Sequence, residues 1–353
     1  MTPSDEKFMD LALRMGRRNL GATAENPSVG CVIVNGGEIV GRGVTAPGGR
    51  PHAETHALSE AGLAANGATV FVTLEPCAHH GNTPPCCDAL ITHAVDRVVI
   101  AAGDPDPRTS GQGIARLEAA GISVQQGTLE AQARADLAGY LSRVERGRPW
   151  VTLKLAVSSD GMMAAAPDVQ TAITQNEALR RSQIMRAESD AILVGMGTVR
   201  TDDPALTCRL PGLEDKSPVR IVVGGNAKSL VGTTLARTAS DVPVWCLGHV
   251  GSEGPVFEIA CAMNDDGQVD IGSALGELAS RGIGRLLVEG GAKVARSFLE
   301  ADLVDQVALF TAPHELGPGG LAAPLELITE ANYAAGAPIL LGVDELRVYD
   351  RVR

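Results

Sequence analysis

Short apolar segments typical of β-strands alternate with helix-length segments through the whole chain, and this alternation limits the fold more than any other feature. The alternation is interrupted once, at Glu145–Pro149, where charged residues, Gly and Pro cluster. Strands that alternate with helices favour layered α/β domains over helical bundles or β-sandwiches. Because 353 residues exceed the usual size of one domain, we predict two α/β domains, residues 1–146 and residues 149–353.

The first block begins with an amphipathic helix and a β-hairpin. Ser4 is the candidate N-cap of the helix. Asn35-Gly36-Gly37 lies between two apolar runs, which predicts a hairpin over 29–44. The later predicted elements are a helix over 53–65, a strand over 69–73, a helix over 85–94, a strand over 97–101 and a polar helix that ends near residue 146. A hairpin followed by strands that alternate with helices predicts a mixed sheet.

The second block contains apolar runs with the length of buried strands. They lie at 150–157, 191–194, 219–223, 242–247, 285–288 and 304–310, with helical stretches between several of them. Residues 345–352 alternate apolar with charged side chains, which predicts a half-exposed edge strand.

Charge and cysteine content narrow the function classes. The net charge of -12 argues against a nonspecific grip on nucleic acid or on an anionic membrane. No segment approaches 18 uncharged apolar residues, and the start lacks a signal-peptide pattern, so we expect a cytoplasmic protein with a small-molecule substrate. Seven cysteines in a reducing compartment more often bind metal or act chemically than form disulfides.

Three residues with the ligand chemistry of zinc flank predicted elements of the first block. His52 opens a helix together with Glu54, Cys77 follows a strand, and Cys86 comes nine positions later. One imidazole and two thiolates suit tetrahedral Zn²⁺ with the fourth position left to water, which indicates a catalytic site. Such zinc lowers the pKa of its water to about 7, and Glu54 is near enough to shuttle protons. The H-x-E and P-C pattern is typical of zinc-dependent base deaminases.

Alternatives remain for the ligand set and for the substrate. Cys87 competes with Cys86 for the last position, and binding of both would indicate a closed structural site. A nucleoside or tRNA-base deaminase is the runner-up enzyme, although an acidic chain with ten aromatic residues is a poor platform for polynucleotide stacking. The remaining cysteines, Cys31, Cys208, Cys246 and Cys261, are predicted to be small core residues.

Longer motifs surround these residues and continue into the second block. In the first block they are Asn26-Pro27-Ser28-Val29-Gly30-Cys31-Val32, Pro51-His52-Ala53-Glu54, Thr73-Leu74-Glu75-Pro76-Cys77-Ala78-His79-His80-Gly81 and Thr83-Pro84-Pro85-Cys86. In the second block they include Leu153-Lys154-Leu155, Ser159-Asp160-Gly161 and Asp202-Asp203-Pro204-Ala205-Leu206-Thr207. Together these motifs resemble the RibD family of bifunctional riboflavin-biosynthesis proteins, and the resemblance covers nearly the whole chain. It implies a cytidine-deaminase-like three-layer domain with a mixed sheet, followed by a dihydrofolate-reductase-like α/β domain.

The resemblance also implies two successive reactions. The first domain would remove the 2-amino group of 2,5-diamino-6-ribosylamino-4(3H)-pyrimidinone 5′-phosphate with zinc held by His52, Cys77 and Cys86. Glu54 would be the proton shuttle. The second domain would use NADPH to reduce the ribosyl side chain to ribityl, and a homo-oligomer, a dimer or a tetramer, is expected.

Site residues follow from the same resemblance. Lys154 would be the catalytic residue near the reactive ribosyl carbon. The residues placed toward a substrate are Asn26 and His79 in the first domain and Gln170, Arg186, Leu206, Arg209 and Glu289 in the second. The residues placed toward NADPH are Ala156, Ala172, Thr198, Asp202, Gly225, Gly290 and Gly291. Two arginines suit a phosphorylated sugar, and the alternative for each is a surface ion pair.

Two segments of the second domain depart from the family pattern. Gln170-Thr171-Ala172-Ile173-Thr174 stands where family members have Ser-x-Trp-Ile-Thr, and Gly224-Gly225 stands where they have Asp-Ser. The first change removes an aromatic wall and the second removes a hydroxyl near the expected cofactor. We still expect a reductase that uses NADPH, because four of the family's residues remain: Lys154, Asp202, Arg209 and Glu289. A noncatalytic second domain is the alternative.

Overall fold

The computed structural model describes residues 3–81, 83–251 and 256–352. The chain divides into two compact units, Met1–Gly147 and Arg148–Arg353. Each unit has its own sheet and its own apolar core. Asn82, in the loop between the two predicted zinc thiolates, lies outside the described residues, as do the predicted domain limits at Met1 and Arg353. Among the described residues, no helix has the length and apolar character that a bilayer crossing requires.

Helices and strands of the first unit alternate after an initial hairpin. In chain order they are α1 (Pro3–Arg17), β1 (Gly30–Asn35), β2 (Glu38–Val44), α2 (Ala53–Ala61), β3 (Thr69–Leu74), α3 (Cys86–Thr92), β4 (Arg97–Ala102), α4 (Gln112–Ala119), β5 (Ser123–Gln126), α5 (Glu130–Asp136) and α6 (Ala138–Arg146). The strand order is β2-β1-β3-β4-β5, with β1 antiparallel to β2 and β3 and the other pairs parallel. The predicted hairpin and mixed sheet are confirmed.

Two glycines show that helices cover both faces of this sheet. A Cβ atom at Gly30 would lie 1.8 Å from the carbonyl oxygen of Ala12 in α1, and one at Gly43 would lie 1.9 Å from the carbonyl oxygen of Ala53 in α2. Gly43 is paired with Cys31, the residue after Gly30. Successive residues of a strand point to opposite faces. Helices α1 and α2 therefore lie on opposite faces, which gives the expected three layers.

Two predicted helix limits in this unit are wrong. The helix α1 begins at Pro3, so Ser4 lies inside its first turn and is not the N-cap. Proline suits the first helical position because its missing N–H has no partner there in any helix. The helix predicted over 53–65 ends as an α-helix at Ala61 and continues only as a 3-10 turn, because Gly62 has a positive φ of 53°.

The second unit is larger and richer in strands. In chain order its elements are β6 (Trp150–Val157), β7 (Met162–Ala164), α7 (Asn176–Ala187), β8 (Ala191–Gly195), α8 (Met196–Asp202), β9 (Val219–Val223), α9 (Thr234–Arg237), β10 (Val244–Gly248), β11 (Phe257–Ala260), α10 (Ile271–Ser280), β12 (Arg285–Val288), α11 (Ala292–Glu300), β13 (Gln306–Thr311), β14 (Leu321–Ala322), β15 (Tyr333–Ala335), β16 (Ile339–Leu341) and β17 (Asp344–Arg351).

The main sheet of this unit is parallel over most of its width. Its order is β11-β10-β9-β8-β12-β6-β13-β17-β15, and the strands from β11 to β13 run parallel. Parallel strands end at the same edge of a sheet, and α/β domains bind ligands at that carboxyl edge. Strands β6, β8 and β12 therefore deliver the residues at their ends to one site.

The prediction of a terminal edge strand is wrong. Strand β17 pairs with β13 on one side and with β15 and β16 on the other. Its alternation of apolar and charged side chains reports that one face of the sheet is more exposed than the other. It does not report a free edge, because hydrogen-bond partners are not encoded by the side-chain period.

Candidate active sites

The three predicted zinc ligands of the first unit lie together. His52 directly precedes α2, Cys77 follows β3, and Cys86 is the first residue of α3. His52 Nδ1 lies 3.3 Å from Cys86 Sγ and 3.7 Å from Cys77 Sγ, and the backbone N–H of Cys86 donates to Cys77 Sγ at 3.3 Å. All three ligand atoms lie within 4.8 Å of one another. Residues separated by 34 positions thus converge on one point.

The size of this cluster fits zinc. Tetrahedral Zn²⁺ with Zn–S of about 2.3 Å and Zn–N of about 2.0 Å requires N···S separations of about 3.6 Å. The observed separations of 3.3 and 3.7 Å bracket that value. Within the described residues, no fourth His, Cys, Asp or Glu joins the cluster. The donor set therefore leaves the fourth zinc position to solvent or substrate.

Cys87 is directed to other partners. Its thiol contacts the carbonyl oxygens of Pro76 at 3.2 Å and Gly113 at 3.6 Å. Burial, with smaller contributions from nearby negative charges, raises the pKa of Cys87 to about 12. A buried thiol that holds its proton and donates to carbonyl groups is a poor zinc ligand. The geometry favours Cys86 over Cys87 as the third ligand.

Paired substitutions of the adjacent cysteines test this choice. We expect Cys86→Ser to lose zinc on dialysis, because only two strong ligands remain. We expect Cys87→Ala to keep about one equivalent per chain, because its sulfur does not belong to the cluster. Metal analysis of the dialysed proteins measures both. Retention of zinc by Cys86→Ser and its loss from Cys87→Ala would reverse the assignment.

The acid beside the cluster is buried. Glu54 lies in the first turn of α2 and is 4% exposed. Burial raises the pKa of Glu54, the negative charge of Cys77 raises it further, and His52 opposes both effects. A carboxyl group with a raised pKa can hold a proton as well as release one near neutral pH. Glu54 therefore has the position and the protonation behaviour of a proton shuttle.

The surroundings of Cys77 favour its thiolate form over its thiol. A hydrogen bond from Cys86 lowers the pKa of Cys77 to about 4, against the effect of burial, and His52 contributes to the lowering. The same hydrogen bond, together with burial, raises the pKa of Cys86 well above its usual value. Zinc requires both sulfurs as thiolates, so metal binding has to release the proton that Cys86 holds.

Asn26 and His79, the residues predicted to line the pyrimidine pocket, lie beside the segments that carry the ligands. A Cβ atom at Gly49 would lie 2.2 Å from Asn26 Nδ2, so Asn26 packs on the backbone three residues before His52. His79, two residues after Cys77, has its Nδ1 3.3 Å from the hydroxyl of Thr109. Both side chains are half-buried.

Glu75 is a structural residue of this site that the sequence motif did not distinguish. Its buried carboxylate accepts hydrogen bonds from the backbone N–H groups of Gly111 at 3.2 Å, Gly113 at 3.1 Å and Ile114 at 3.3 Å. These bonds tie the end of β3 to the start of α4 and so hold the loop that begins at Cys77.

The second unit has a group of charged residues at the carboxyl edge of its sheet. Glu289 follows β12 and accepts a bidentate pair of hydrogen bonds from Arg186 at 2.9 and 3.0 Å. Arg186 also donates to the carbonyl oxygen of Thr207 at 3.2 Å. The two charged side chains are only 13% and 10% exposed. Arg186 therefore belongs to a half-buried ion pair. The side chain of Arg209 is exposed and forms no ion pair with a carboxylate of the described residues.

Lys154 lies beside this pair. Its Nζ is 5.6 Å from the ring centre of Phe310. Burial lowers the pKa of Lys154 and the charge of Arg186 lowers it further, while Glu289 opposes the shift. A lysine with a lowered pKa releases a proton more readily than a solvated one. Ala156 lies on the same face of β6, because it is two residues further along the strand.

Thr198 and Asp202, two of the residues predicted to bind the cofactor, belong to α8, and Gly225 and Gly291 lie next to that helix. A Cβ atom at Gly291 would lie 3.6 Å from Thr198 Oγ1, and one at Gly225 would lie 3.0 Å from the sulfur of Met196. Asp202 ends α8, and burial raises its pKa. Position 290 requires glycine because a Cβ atom there would lie only 2.6 Å from the side chain of Val294.

Three predicted substrate or cofactor residues are placed differently. Leu206 is 3% exposed and belongs to an apolar core, with a positive φ of 56°. Gln170 and Ala172 are exposed in the loop between β7 and α7. Among the described residues, no hydrogen bond or ion pair joins Gln170 or Ala172 to the charged group at the sheet edge.

The Arg186–Glu289 pair leads to a stability prediction. Burial would raise the pKa of Glu289, but the charges of Arg186 and Lys154 outweigh burial and lower it. A lowered carboxyl pKa adds stability above the unfolded value of about 4.3, and this stability is lost as pH falls through the folded value. We expect Glu289→Gln to reduce the free energy of unfolding of this unit by about 3 kcal/mol at pH 7, because it leaves Arg186 unpaired.

Fluorescence measures this effect selectively, since both tryptophans, Trp150 and Trp245, lie in the second unit. Urea unfolding of the wild type and of Glu289→Gln should differ at pH 7. The difference should begin to shrink below about pH 4.3 and disappear once the pH is below the lowered pKa of Glu289 in the folded protein. Glu300→Gln is the control, because Glu300 forms an exposed pair with Arg296 at 3.4 Å, which is expected to contribute under about 0.5 kcal/mol. A difference that stays the same as the pH falls would contradict the assigned direction.

Both units of the chain are similar to known protein families. Residues 2–102 match the family of the cytidine and deoxycytidylate deaminase zinc-binding region, and residues 149–333 match the RibD C-terminal domain. The chain is 39% identical over 333 residues to riboflavin biosynthesis protein RibD of Escherichia coli, with 89% of each chain covered. It is 36% identical over 329 residues to the RibD of Aquifex aeolicus, with 89% of this chain and 88% of the relative covered.

Solved structures of two relatives cover the same length. RibD of Acinetobacter baumannii has a TM-score of 0.89 and 32% identity, with 99% of each chain covered. The diaminohydroxyphosphoribosylaminopyrimidine deaminase/5-amino-6-(5-phosphoribosylamino)uracil reductase of Thermotoga maritima has a TM-score of 0.87 and 32% identity, again with 99% of each chain covered.

Proposed function

The chain belongs to the RibD family of riboflavin-biosynthesis enzymes, and we propose a specific reaction for each unit. It is bifunctional, with a zinc-dependent deaminase and a reductase. In the proposal, the first unit hydrolyses the 2-amino group of 2,5-diamino-6-ribosylamino-4(3H)-pyrimidinone 5′-phosphate. The second unit then reduces the ribosyl side chain to ribityl with NADPH. The observation that carries the proposal is the convergence of His52, Cys77 and Cys86 beside the buried Glu54.

In the deaminase reaction, His52, Cys77 and Cys86 hold the metal and Asn26 and His79 orient the pyrimidine. When bound, zinc lowers the pKa of a coordinated water, which supplies the nucleophile at neutral pH. The net reaction consumes one water, forms a C–O bond at C2 and breaks the C–N bond to the amino group.

Glu54 moves the protons of this reaction. It accepts a proton from the attacking water and gives it to the ring nitrogen. It then carries a second proton to the amino group, which leaves as ammonia. One carboxyl group can serve both transfers, because its raised pKa makes both protonation states accessible. Its burial keeps bulk water from competing for these protons.

In the reductase reaction, Lys154 lies toward the ribosyl carbon and Glu289 holds Arg186 through its bidentate pair of hydrogen bonds. NADPH, when bound, supplies a hydride. The hydride would form a C–H bond at C1′ of the ribosyl group while the bond from C1′ to the ring oxygen breaks. Lys154 would give that oxygen its proton, and the lowered pKa of Lys154 favours this release. Arg209, whose exposed guanidinium can form a bidentate pair with phosphate oxygens, would bind the substrate phosphate.

The cofactor would lie along the start of α8. Thr198, Gly225 and Gly291 meet there, and Asp202 closes the same helix. Gln170 and Ala172 are exposed, and no described hydrogen bond or ion pair joins them to the charged residues. This arrangement supports an active reductase despite the missing aromatic wall.

A coupled assay tests both reactions. The zinc-loaded protein is given the diaminopyrimidine substrate, and ammonia release is followed first without NADPH. Addition of NADPH should then cause oxidation in proportion to the deaminated product, measured by absorbance, and NADH should support a slower rate. Ammonia release without NADPH oxidation above background would leave a deaminase with a noncatalytic second unit.

We also propose that the enzyme is a cytoplasmic homo-oligomer. All seven cysteines are free thiols, which suits a reducing compartment. Strands β15 and β16 form the outer edge of the large sheet, and Ile339 and Leu340 there are 49% and 77% exposed. An open edge with exposed apolar side chains favours pairing with another copy. Light scattering should give at least twice the chain mass of 36.5 kDa, and a monomer at micromolar concentration would contradict the proposal.

A further inference from the structure

Arg50 reaches across to the loop that joins two of the zinc ligands. It lies two residues before His52 and is half-buried. Its Nη1 donates to the hydroxyl of Thr83 at 2.8 Å. A Cβ atom at Gly81 would lie 3.0 Å from its Nη2. The guanidinium therefore rests on the loop between Cys77 and Cys86.

Arg50 lies next to the residues assigned to the deaminase reaction. The residue before Arg50 is Gly49, which packs against the side chain of Asn26. Asn26 and His52 are assigned to the pyrimidine and to the metal in the proposed function. The guanidinium thus belongs to a segment with the pyrimidine-binding residue on one side and a metal ligand on the other.

Arg50 has no ion-pair partner among the described residues. Arg108 and Arg116, the other arginines near this loop, pair with Asp106 at 2.6 Å and with Asp88 at 2.7 Å. Within residues 3–81, 83–251 and 256–352, no carboxylate lies within ion-pair distance of Arg50. A guanidinium has five N–H donors, and Thr83 accepts from only one nitrogen. Arg50 therefore keeps both its charge and a pair of donors for a ligand.

We propose that Arg50 and the hydroxyl of Thr83 bind the 5′-phosphate of the deaminase substrate. This inference rests on the proposed function, in which the substrate is a phosphoribosyl compound. A guanidinium fork matches two phosphate oxygens, and a charge-assisted pair of hydrogen bonds is among the strongest polar contacts in proteins. The chain as a whole is strongly acidic, with a net charge of -12, so an anionic substrate needs a local cation to be held.

Kinetics of Arg50→Met test the assignment. For the phosphorylated substrate we expect KM to rise roughly 10- to 100-fold with kcat changed less than about threefold, because the contact is made equally in the ground and transition states. For the dephosphorylated substrate the variant and the wild type should agree within about twofold. Inhibition of the deaminase by ribose 5-phosphate should weaken by the same factor as KM rises, and Arg50→Lys should restore part of the loss.

Controls separate this inference from the proposed function. Arg108→Met removes the same charge from a paired arginine, and its KM should stay within about twofold of wild type. Zinc content and NADPH oxidation report whether Arg50→Met is folded. A wild type that does not release ammonia would overturn the proposed function itself. A wild type that does, beside an Arg50→Met variant with an unchanged KM or with equal losses on both substrates, would overturn only the phosphate assignment.

Discussion

Glu54→Gln should lower the rate of ammonia release by at least about 1000-fold while zinc content and folding stay unchanged. The amide keeps the size and hydrogen-bonding capacity of the acid but cannot carry a proton. Glu54 is not one of the cluster residues, so the three ligand atoms remain in place. Steady-state ammonia release, measured with metal analysis of the same sample, gives both quantities.

The matched control lies on the same helix. Glu60 lies six positions after Glu54 in α2 and forms an exposed ion pair with Arg42 at 2.5 Å. Glu60→Gln removes the same charge from the helix and should keep ammonia release within about twofold of wild type. Wild-type-like turnover by Glu54→Gln would eliminate its role as the proton shuttle. Loss of zinc from that variant would instead make Glu54 a ligand.

Lys154→Met should lower the rate of NADPH oxidation by about 100- to 1000-fold and leave deamination unchanged. The change removes the proton donor but keeps a chain of similar length on the same face of β6. The bidentate pair between Arg186 and Glu289 remains, so the edge of the sheet keeps its structure. The reaction is measured with the deaminated intermediate, so that the first unit does not limit the rate.

The two variants also control each other. Glu54→Gln should oxidise NADPH normally when it is given the deaminated intermediate, and Lys154→Met should release ammonia normally from the diamino substrate. Tryptophan fluorescence reports the folding of the second unit in both, because Trp150 and Trp245 both lie there. Wild-type NADPH oxidation by Lys154→Met would remove Lys154 from the reductase mechanism.

The zinc cluster can be predicted from the sequence because its ligands belong to short, specific motifs. The sequence does not decide between Cys86 and Cys87 as the third ligand, since the two are neighbours with the same chemistry. Adjacent residues of a helix point about 100° apart. Only the start of α3 at Cys86 and the contact of Cys87 with Pro76 decide which sulfur joins the cluster.

Most strands are also predictable, because an apolar run of strand length can be recognised in the sequence itself. The sequence does not show which strands pair with one another. The alternation in the terminal segment therefore predicts an edge strand, although β17 has partner strands on both sides. The role proposed for Arg50 is not visible in the sequence for a related reason. Its contact with Thr83 joins residues 33 positions apart, and no motif marks a long-range pair of this kind.

In the proposed deaminase site, one imidazole and two thiolates hold zinc while a fourth position stays open. X-ray absorption spectroscopy of the zinc-loaded enzyme measures this most directly. We expect two sulfur atoms at about 2.3 Å, one imidazole nitrogen at about 2.0 Å and one exchangeable oxygen. Three sulfur atoms, or a fourth ligand from the protein that does not exchange, would contradict it.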